Sequence, residues 1–376
     1  MLYRRARTVI AYWEGADLVV VNFARRTTVR LGPGESGLLQ SLDSWRDARQ
    51  IKRLCPGLTG PRVEQTLETL SAAGVVERSD RPASAVQAGL DAWKGWQPSA
   101  AFFHFDTKDG QFADSETVEA LFEERMAFER VPSSLKRSRG ARTMLPDFRR
   151  RGAFPRVLLA RRSWRRFGSD AIALNDLSTL LGLTWGTQKW MHFRYATLAL
   201  KTSPSGGACH SLEVYVAVRA VDGLAPGIYH YCPDTHSLTR RRRRWSAKWL
   251  SRSLAGQDWF ANAGAVVFMT SVFPRVQWKY RASRAYRTVL LEAGHFCQTF
   301  CLTATWLGLA PFCTASLSDS YIERSLGIDG VTESVIYVTG VGSRPAAAWA
   351  PRPDGGRPPL TTEPTSFTRF KGSRTP

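Results

Sequence analysis

Three stretches of this chain carry side chains that can do chemistry. Arg161-Arg162-Ser163-Trp164-Arg165-Arg166-Phe167 sets four guanidiniums and a hydroxyl within seven residues. Such a run can grip a phosphate through charge-assisted bonds, and it also fits a solvated basic turn. In Ser203-Pro204-Ser205-Gly206-Gly207-Ala208, proline fixes one dihedral and two glycines let the backbone approach a flat ligand. An ordinary loop has the same composition. Trp278-Lys279-Tyr280 places two acid–base side chains next to each other, useful where their high pKa values are lowered. Arg275, Arg281 and Arg284 are close in sequence and would favour a neutral Lys279. An exposed amphipathic pair at a strand–helix junction is the simpler reading of those residues alone.

Other patterns carry less. Gly32-Pro33-Gly34-Glu35-Ser36-Gly37 matches the G-x-G-x-x-G spacing. Its preceding strand is short, Pro33 occupies the turn and no parallel βαβ unit follows, so it reads as the cap of a helix. His295 and Cys297 are two residues apart and cannot share a helix face, while Cys297 and Cys301 fit an apolar stripe; no metal site is expected. The run Arg240–Arg244, followed by Trp245, reads as an exposed loop or a contact for an acidic peptide. No recognition motif accompanies it, so nucleic acid is not the expected partner.

These groups need elements to hold them. At 376 residues and 43% hydrophobic composition, the chain can build a real core in roughly two domains. The net charge of +20 favours anionic partners. The basic Met1–Arg7 segment is followed by an apolar stretch broken by Glu14 and Asp17, so neither a signal peptide nor a membrane span is expected, and the location reads as cytoplasmic. Six cysteines without C-x-x-C spacing read as reduced thiols.

Thr8–Trp13, Leu18–Phe23 and Thr27–Leu31 read as strands. Gly37–Leu42, Ala48–Leu54 and Arg62–Ala73 read as helices, and Val75–Arg78 as a closing strand. Together they outline a winged-helix-like unit. Ala101–Phe105 reads as a short aromatic strand, Ser115–Phe128 as a helix and Pro132–Arg142 as a mobile linker. Further on, Asn175–Leu183 reads as a helix, and Ser211–Arg219, Gly227–Tyr231, Gly264–Val272 and Ser334–Thr339 as strands. Ser283–Leu309 is the strongest helix: Tyr286, Val289, Ala293, Phe296, Phe300 and Ala304 keep a period near 3.6. Leu291 and Leu302 add apolar residues elsewhere, so most of its circumference is expected to be buried. The Pro-, Gly- and Thr-rich segment past Arg344 reads as a disordered tail.

Taken in order, these segments resemble the nitroreductase superfamily, and within it the SagB-type dehydrogenases of peptide maturation. The similarity runs through Arg161-Arg162-Ser163-x-Arg165-x-Phe167 and Pro204-Ser205-Gly206-Gly207-Ala208-x-His210-x-Leu212-Glu213-x-Tyr215. It continues through Trp278-Lys279-Tyr280, Glu292-Ala293-Gly294-His295-x2-Gln298 and Gly340-Val341-Gly342. His104-x-Asp106-Thr107-Lys108 also looks like the family's region upstream of the flavin domain.

The resemblance implies an α+β fold: an FMN-binding domain with an antiparallel-rich sheet and a central buried helix, preceded by the winged-helix-like unit. It divides the chain into residues 1–82, a PqqD-like peptide-recognition domain; 83–150, a connecting region and linker; 151–345, the flavin domain; and 346–376, the tail. It implies a homodimer with flavin sites at the subunit interface. Arg161, Arg162, Ser163 and Arg165 would hold the FMN phosphate and ribityl chain. Pro204, Ser205, Gly206 and Gly207 would approach the flavin from the partner subunit, Gln298 would join the cofactor site, and Gly340, Gly342 and Arg344 would close the phosphate end. Lys279 would be the base and Tyr280 its partner. The implied substrate is an azoline in a ribosomal precursor peptide, oxidised to a thiazole or oxazole, with a cyclodehydratase as a possible partner. Desaturation of another peptide position, or an inactive peptide-binding scaffold, are the alternatives.

Overall fold

The computed structural model describes residues 1–110, 115–128, 146–147, 150–194, 197–242 and 245–345. The expected linker Pro132–Arg142, the tail past residue 345 and the last two arginines of the 240–244 run lie outside the described residues.

The N-terminal unit begins with β1 (Tyr3–Arg5), β2 (Val9–Glu14), β3 (Asp17–Asn22) and β4 (Thr27–Leu31). Helices α1 (Pro33–Gln40), α2 (Ala48–Leu54) and α3 (Gly60–Ala72) follow, then β5 (Val76–Arg78). Strands β2, β3 and β4 form an antiparallel sheet. The short β1 is not apparent in the sequence pattern; it pairs with β5 in a separate two-stranded ribbon. Pro33 opens α1 at its first turn after Gly32, where a missing N–H costs nothing. A capping box between Asp47 and Gln50 starts α2. Leu38, Leu42, Ile51, Val63, Leu67 and Leu70 close the core of this unit against β3.

Next come α4 (Ala85–Gly89), α5 (Pro98–Thr107) and α6 (Ser115–Phe128). The expected strand at Ala101–Phe105 is therefore a helix. Its aromatic run reads as β by propensity, but Pro98 at the first turn and the burial of Ala101, His104 and Phe105 on one face favour a helix. Part of the expected connector is thus core: Trp93, Trp96 and Phe105 pack with Phe273, Tyr286 and Val289.

The remaining elements are α7 (Ala153–Ala160), α8 (Leu174–Trp185), β6 (Lys189–His192), β7 (Thr197–Leu200), β8 (Leu212–Val218), β9 (Gly227–Cys232) and β10 (Ser237–Arg242). They are followed by α9 (Ala247–Ser253), β11 (Ala265–Val272), α10 (Phe273–Lys279), α11 (Tyr286–Trp306), β12 (Ala310–Thr314), α12 (Asp319–Leu326) and β13 (Glu333–Gly342). Arg240–Arg242, expected in a loop, end the edge strand β10.

A six-stranded sheet runs β10-β9-β8-β11-β13-β12, antiparallel throughout. Successive side chains of its strands point to opposite faces, and both faces are covered. Val214, Val216, Val267 and Met269 meet α8 and α11 on one face. Tyr215, Ala217, Val266 and Phe268 meet α9 and α12 on the other. One side of α11 is fully buried. Its other side is not: Leu290 and Leu291 are 41% and 60% exposed, so the expected burial of most of its circumference does not hold within one chain. Among the described residues, no helix is long and apolar enough to cross a membrane.

Candidate functional site

Lys279 and Tyr280 do not sit at a strand–helix junction. They end α10, which leaves β11 through Phe273-Pro274. That helix is clamped from the N-terminal side. Trp96 Nε1 donates to the Tyr280 carbonyl at 2.9 Å, and the Trp93 ring packs on Phe273 with centroids 4.8 Å apart. The upstream segment therefore aims the Lys-Tyr pair.

Both side chains converge on Gly207. Lys279 Nζ donates to the Gly207 carbonyl at 3.0 Å. A Cβ on Gly207 would lie 2.7 Å from Lys279 Nζ and closer still to the Tyr280 hydroxyl, and φ there is +61°. Ala208 and His210 also hold positive φ, 53° and 41°. Left-handed backbone at non-glycine residues costs about 1–3 kcal/mol each and persists only when surroundings impose it.

Glu292 imposes it. This carboxylate points from the buried side of α11 and is 2% exposed. It accepts from Ser205 Oγ at 2.7 Å and from the Leu212 N–H at 3.3 Å. Ser205 Oγ in turn accepts from the His210 N–H at 3.0 Å. One carboxylate thus ties both ends of the tight turn, and burial raises its pKa despite these donors.

The turn and Lys279 open on a cleft of about 590 Å³, also lined by Lys201, Cys209, His210, Glu213, His230, Arg275 and Trp278. Glu213 carries the polar wall. It meets His230 Nε2 at 2.6 Å and Arg275 Nη2 at 2.5 Å. Burial pushes its pKa up, but these two partners outweigh that and leave it below the ordinary carboxylate value. Burial lowers the pKa of Lys201. Burial and then Lys201 lower that of His210 to about 4, so its imidazole is neutral near pH 7. Arg275 is expected only as a cation near Lys279, and Lys201, Glu213, His210 and Glu292 are not candidate site residues in the sequence alone. The last three lie inside the resemblance motifs, which was the available signal.

The other candidate residues form a second cluster. Arg161, Arg162, Ser163 and Arg165 follow α7, and the Trp164 N–H donates to the Pro311 carbonyl at 2.8 Å. Arg344 lies over Trp164 at 5.7 Å and donates to the carbonyls of Leu309 (3.1 Å) and Thr305 (3.3 Å). Arg162 turns back on the carbonyls of Leu159 and Arg161. Gly340 and Gly342 are packing positions within β13: a side chain there would strike Phe312 and Phe167 respectively. Gln298 is exposed on α11, beside His295, whose Nδ1 lies 3.1 Å from the Pro204 carbonyl.

The two clusters are far apart in one chain. The Gly206 turn abuts Thr288 and the arginine cluster abuts Thr305, both on α11. At the helical rise these residues are about 25 Å apart, further than one flavin mononucleotide extends.

Comparison with known proteins agrees with this architecture. The profile described as Nitroreductase family matches residues 158–343. The chain is 34% identical to MJ1384 of Methanocaldococcus jannaschii, named as a nitroreductase, over 46% of this chain and 83% of that protein. The chain belongs to the nitroreductase family. It is also similar to two peptide-toxin-processing proteins. It is 32% identical to the trifolitoxin-processing protein TfxB of Rhizobium leguminosarum bv. trifolii, over 36% of this chain and 38% of that one. It is 30% identical to the microcin B17-processing protein McbC of Escherichia coli, over 36% of this chain and 51% of that one. These relatives support the SagB-type resemblance, although the match spans only about half or less of the length of the two processing proteins.

The residues present fit a flavin. A cradle that a Cβ would fill at Gly207 suits the face or edge of a flat ring. Among the described residues, His210 Nδ1 is buried at the cleft without a hydrogen-bond partner. The cluster of Arg161, Arg162 and Arg165 has the donor chemistry of a phosphate site.

Proposed function

We propose that this protein is an FMN-dependent dehydrogenase that oxidises azoline rings of a ribosomal precursor peptide to thiazoles or oxazoles. The observation that carries this reading is the convergence of Lys279 and Tyr280 on the strained Gly206-Gly207 turn, at the mouth of a cleft large enough for a peptide ring. The flavin, when bound, would accept a hydride from the ring carbon. Lys279 would take the proton lost from the ring, and the Gly207 carbonyl holds its Nζ in place. Tyr280 would orient or share that proton. Glu213, held by His230 and Arg275, keeps the opposite wall polar and ordered.

Arg161, Arg162, Ser163 and Arg165, with Arg344, would hold the phosphate and ribityl chain. Pro204–Gly207 and Gln298 would face the flavin of a second copy. The separation along α11 supports that homodimer, because two clusters this far apart reach one cofactor only across a subunit interface. The exposed apolar residues Phe154, Leu158 and Leu159 of α7 and Leu290 and Leu291 of α11 are suited to be covered by the partner. Residues 1–82 would recognise the precursor peptide through an edge of the β2-β3-β4 sheet, as in strand addition, with 151–345 as the catalytic domain. The similarity to McbC and TfxB supports a peptide substrate, and a cyclodehydratase would supply it.

The test is the absorbance of the purified full chain, with the released chromophore identified by mass, followed by Lys279→Ala. FMN in both proteins with turnover of an azoline peptide lost in the variant is the expected outcome. A protein that cannot be loaded with FMN, or a variant with unchanged turnover, would overturn it.

A further inference from the structure

A separate cluster of nucleophilic side chains lies behind α11. Cys297 and Cys301 face the sheet from consecutive turns of the helix, and Cys313 faces them from β12. The three sulfurs all lie within 4.8 Å of one another. The helix pair alone looked like part of an apolar stripe. Chain reversal between Leu307 and Leu309 adds the third thiol, 12 residues beyond Cys301.

We propose that Cys297, Cys301 and Cys313 bind one thiophilic divalent cation of the zinc type. A tetrahedral ion with bonds of about 2.3 Å to sulfur sets its ligands about 3.8 Å apart. Each sulfur needs to move by well under about 1 Å, within the reach of a χ1 adjustment. Two ligands from i and i+4 of a rigid helix and one from a sheet strand make a site largely formed before the ion arrives. Cysteine pairing satisfies only two thiols and leaves a third, whereas one ion uses all three.

Charge decides between ions. Three thiolates around a monovalent ion would bury two net negative charges, and around a divalent ion only one. Tyr337 packs against the same apolar cluster as the three cysteines. Cys313 is only partly buried, so the fourth position and the entry path lie on its side. The ion would pin α11 to β12 and is independent of the flavin reading.

The experiment uses the full chain prepared without chelator. Zinc content is measured by mass spectrometry, and cobalt(II) is titrated into stripped protein and followed by difference absorbance. The expected result is one ion per chain, with sulfur-to-cobalt charge-transfer bands. Cys313→Ser should weaken binding at least about 100-fold while its apo circular dichroism matches the parent. Cys209→Ser, outside the cluster, should bind as the parent does. Absence of stoichiometric zinc or cobalt binding, or bands unchanged in Cys313→Ser, would overturn the proposal. So would four rather than six titratable thiols in the denatured, unreduced protein. Should Cys313→Ser fail to fold, the parent's stoichiometry and charge-transfer bands decide alone.

Discussion

Replacing Glu292 tests the construction of the site most directly. In Glu292→Ala, the Leu212 N–H and the Ser205 hydroxyl lose their acceptor inside the protein. A stranded buried polar group costs about 1–3 kcal/mol, so the pair predicts a loss of about 2–6 kcal/mol. The loss should concentrate in the turn. Ser205 would no longer fix the His210 N–H, and residues 205–212 should exchange their amide protons faster. In Glu292→Gln, the side-chain carbonyl can still accept from Leu212. Its amide must then face a Ser205 oxygen that already accepts from His210, so a loss of about 1–2 kcal/mol is expected.

The pH dependence has a definite sign. Burial raises the pKa of Glu292 above its unfolded value, so its stabilising contribution is complete below the unfolded carboxylate range. It is lost as pH rises through the folded value. The deficit of Glu292→Gln relative to the parent should therefore narrow from the acid range towards neutrality. Urea unfolding followed by tryptophan fluorescence, with hydrogen exchange of residues 203–212, reads both effects. An alanine variant within about 0.5 kcal/mol of the parent, with unchanged exchange in the turn, would refute the anchoring role.

Three further outcomes follow from contacts in the structure. Gly207→Ala meets both a positive φ and the Lys279 and Tyr280 side chains; turnover should fall more than about tenfold while stability falls by about 1–2 kcal/mol, and a fully active variant would remove Gly207 from the site. Lys108 Nζ pairs with Glu323 at 2.6 Å, with both side chains under 10% exposed; Lys108→Met should cost about 3–5 kcal/mol in denaturant unfolding, and a loss below about 1 kcal/mol would show the pair to be dispensable. Burial raises Asp319 from 3.8 to about 6. Its protonated form is stabilising below the unfolded value, and this is lost as pH rises through about 6. Asp319→Asn should therefore be the more stable protein by up to about 3 kcal/mol at pH above 7 and gain little near pH 4; an equal gain at both would exclude the burial argument.

The primary structure alone determined what repeats locally. Alternation marked β8, a buried apolar run marked β11, and the turn-rich stretch from Glu14 to Asp17 marked β2 and β3 on either side of it. The 3.6 period marked α11, whereas α1 starts at Pro33, four residues before the Gly37 that the sequence pattern indicates. The Lys279-Tyr280 pair and the Gly206-Gly207 turn were legible as residue types with a resemblance to guide them. Tertiary structure decided which of them meet. Residues 101–105, with the aromatic composition of a strand, lie in a helix whose buried side packs against Trp93 and Phe273, a contact their own propensities do not encode. Gly340 and Gly342, expected beside a phosphate, are small because Phe312 and Phe167 fill the space above them. Glu292 sits in an apolar stripe where a carboxylate is costly, and only the folded chain brings Ser205 and Leu212 to satisfy it. Cys313 joins Cys297 and Cys301 for the same reason. Side chains separated along the chain acquire a shared chemistry only when the packing of sheet and helix fixes their distances.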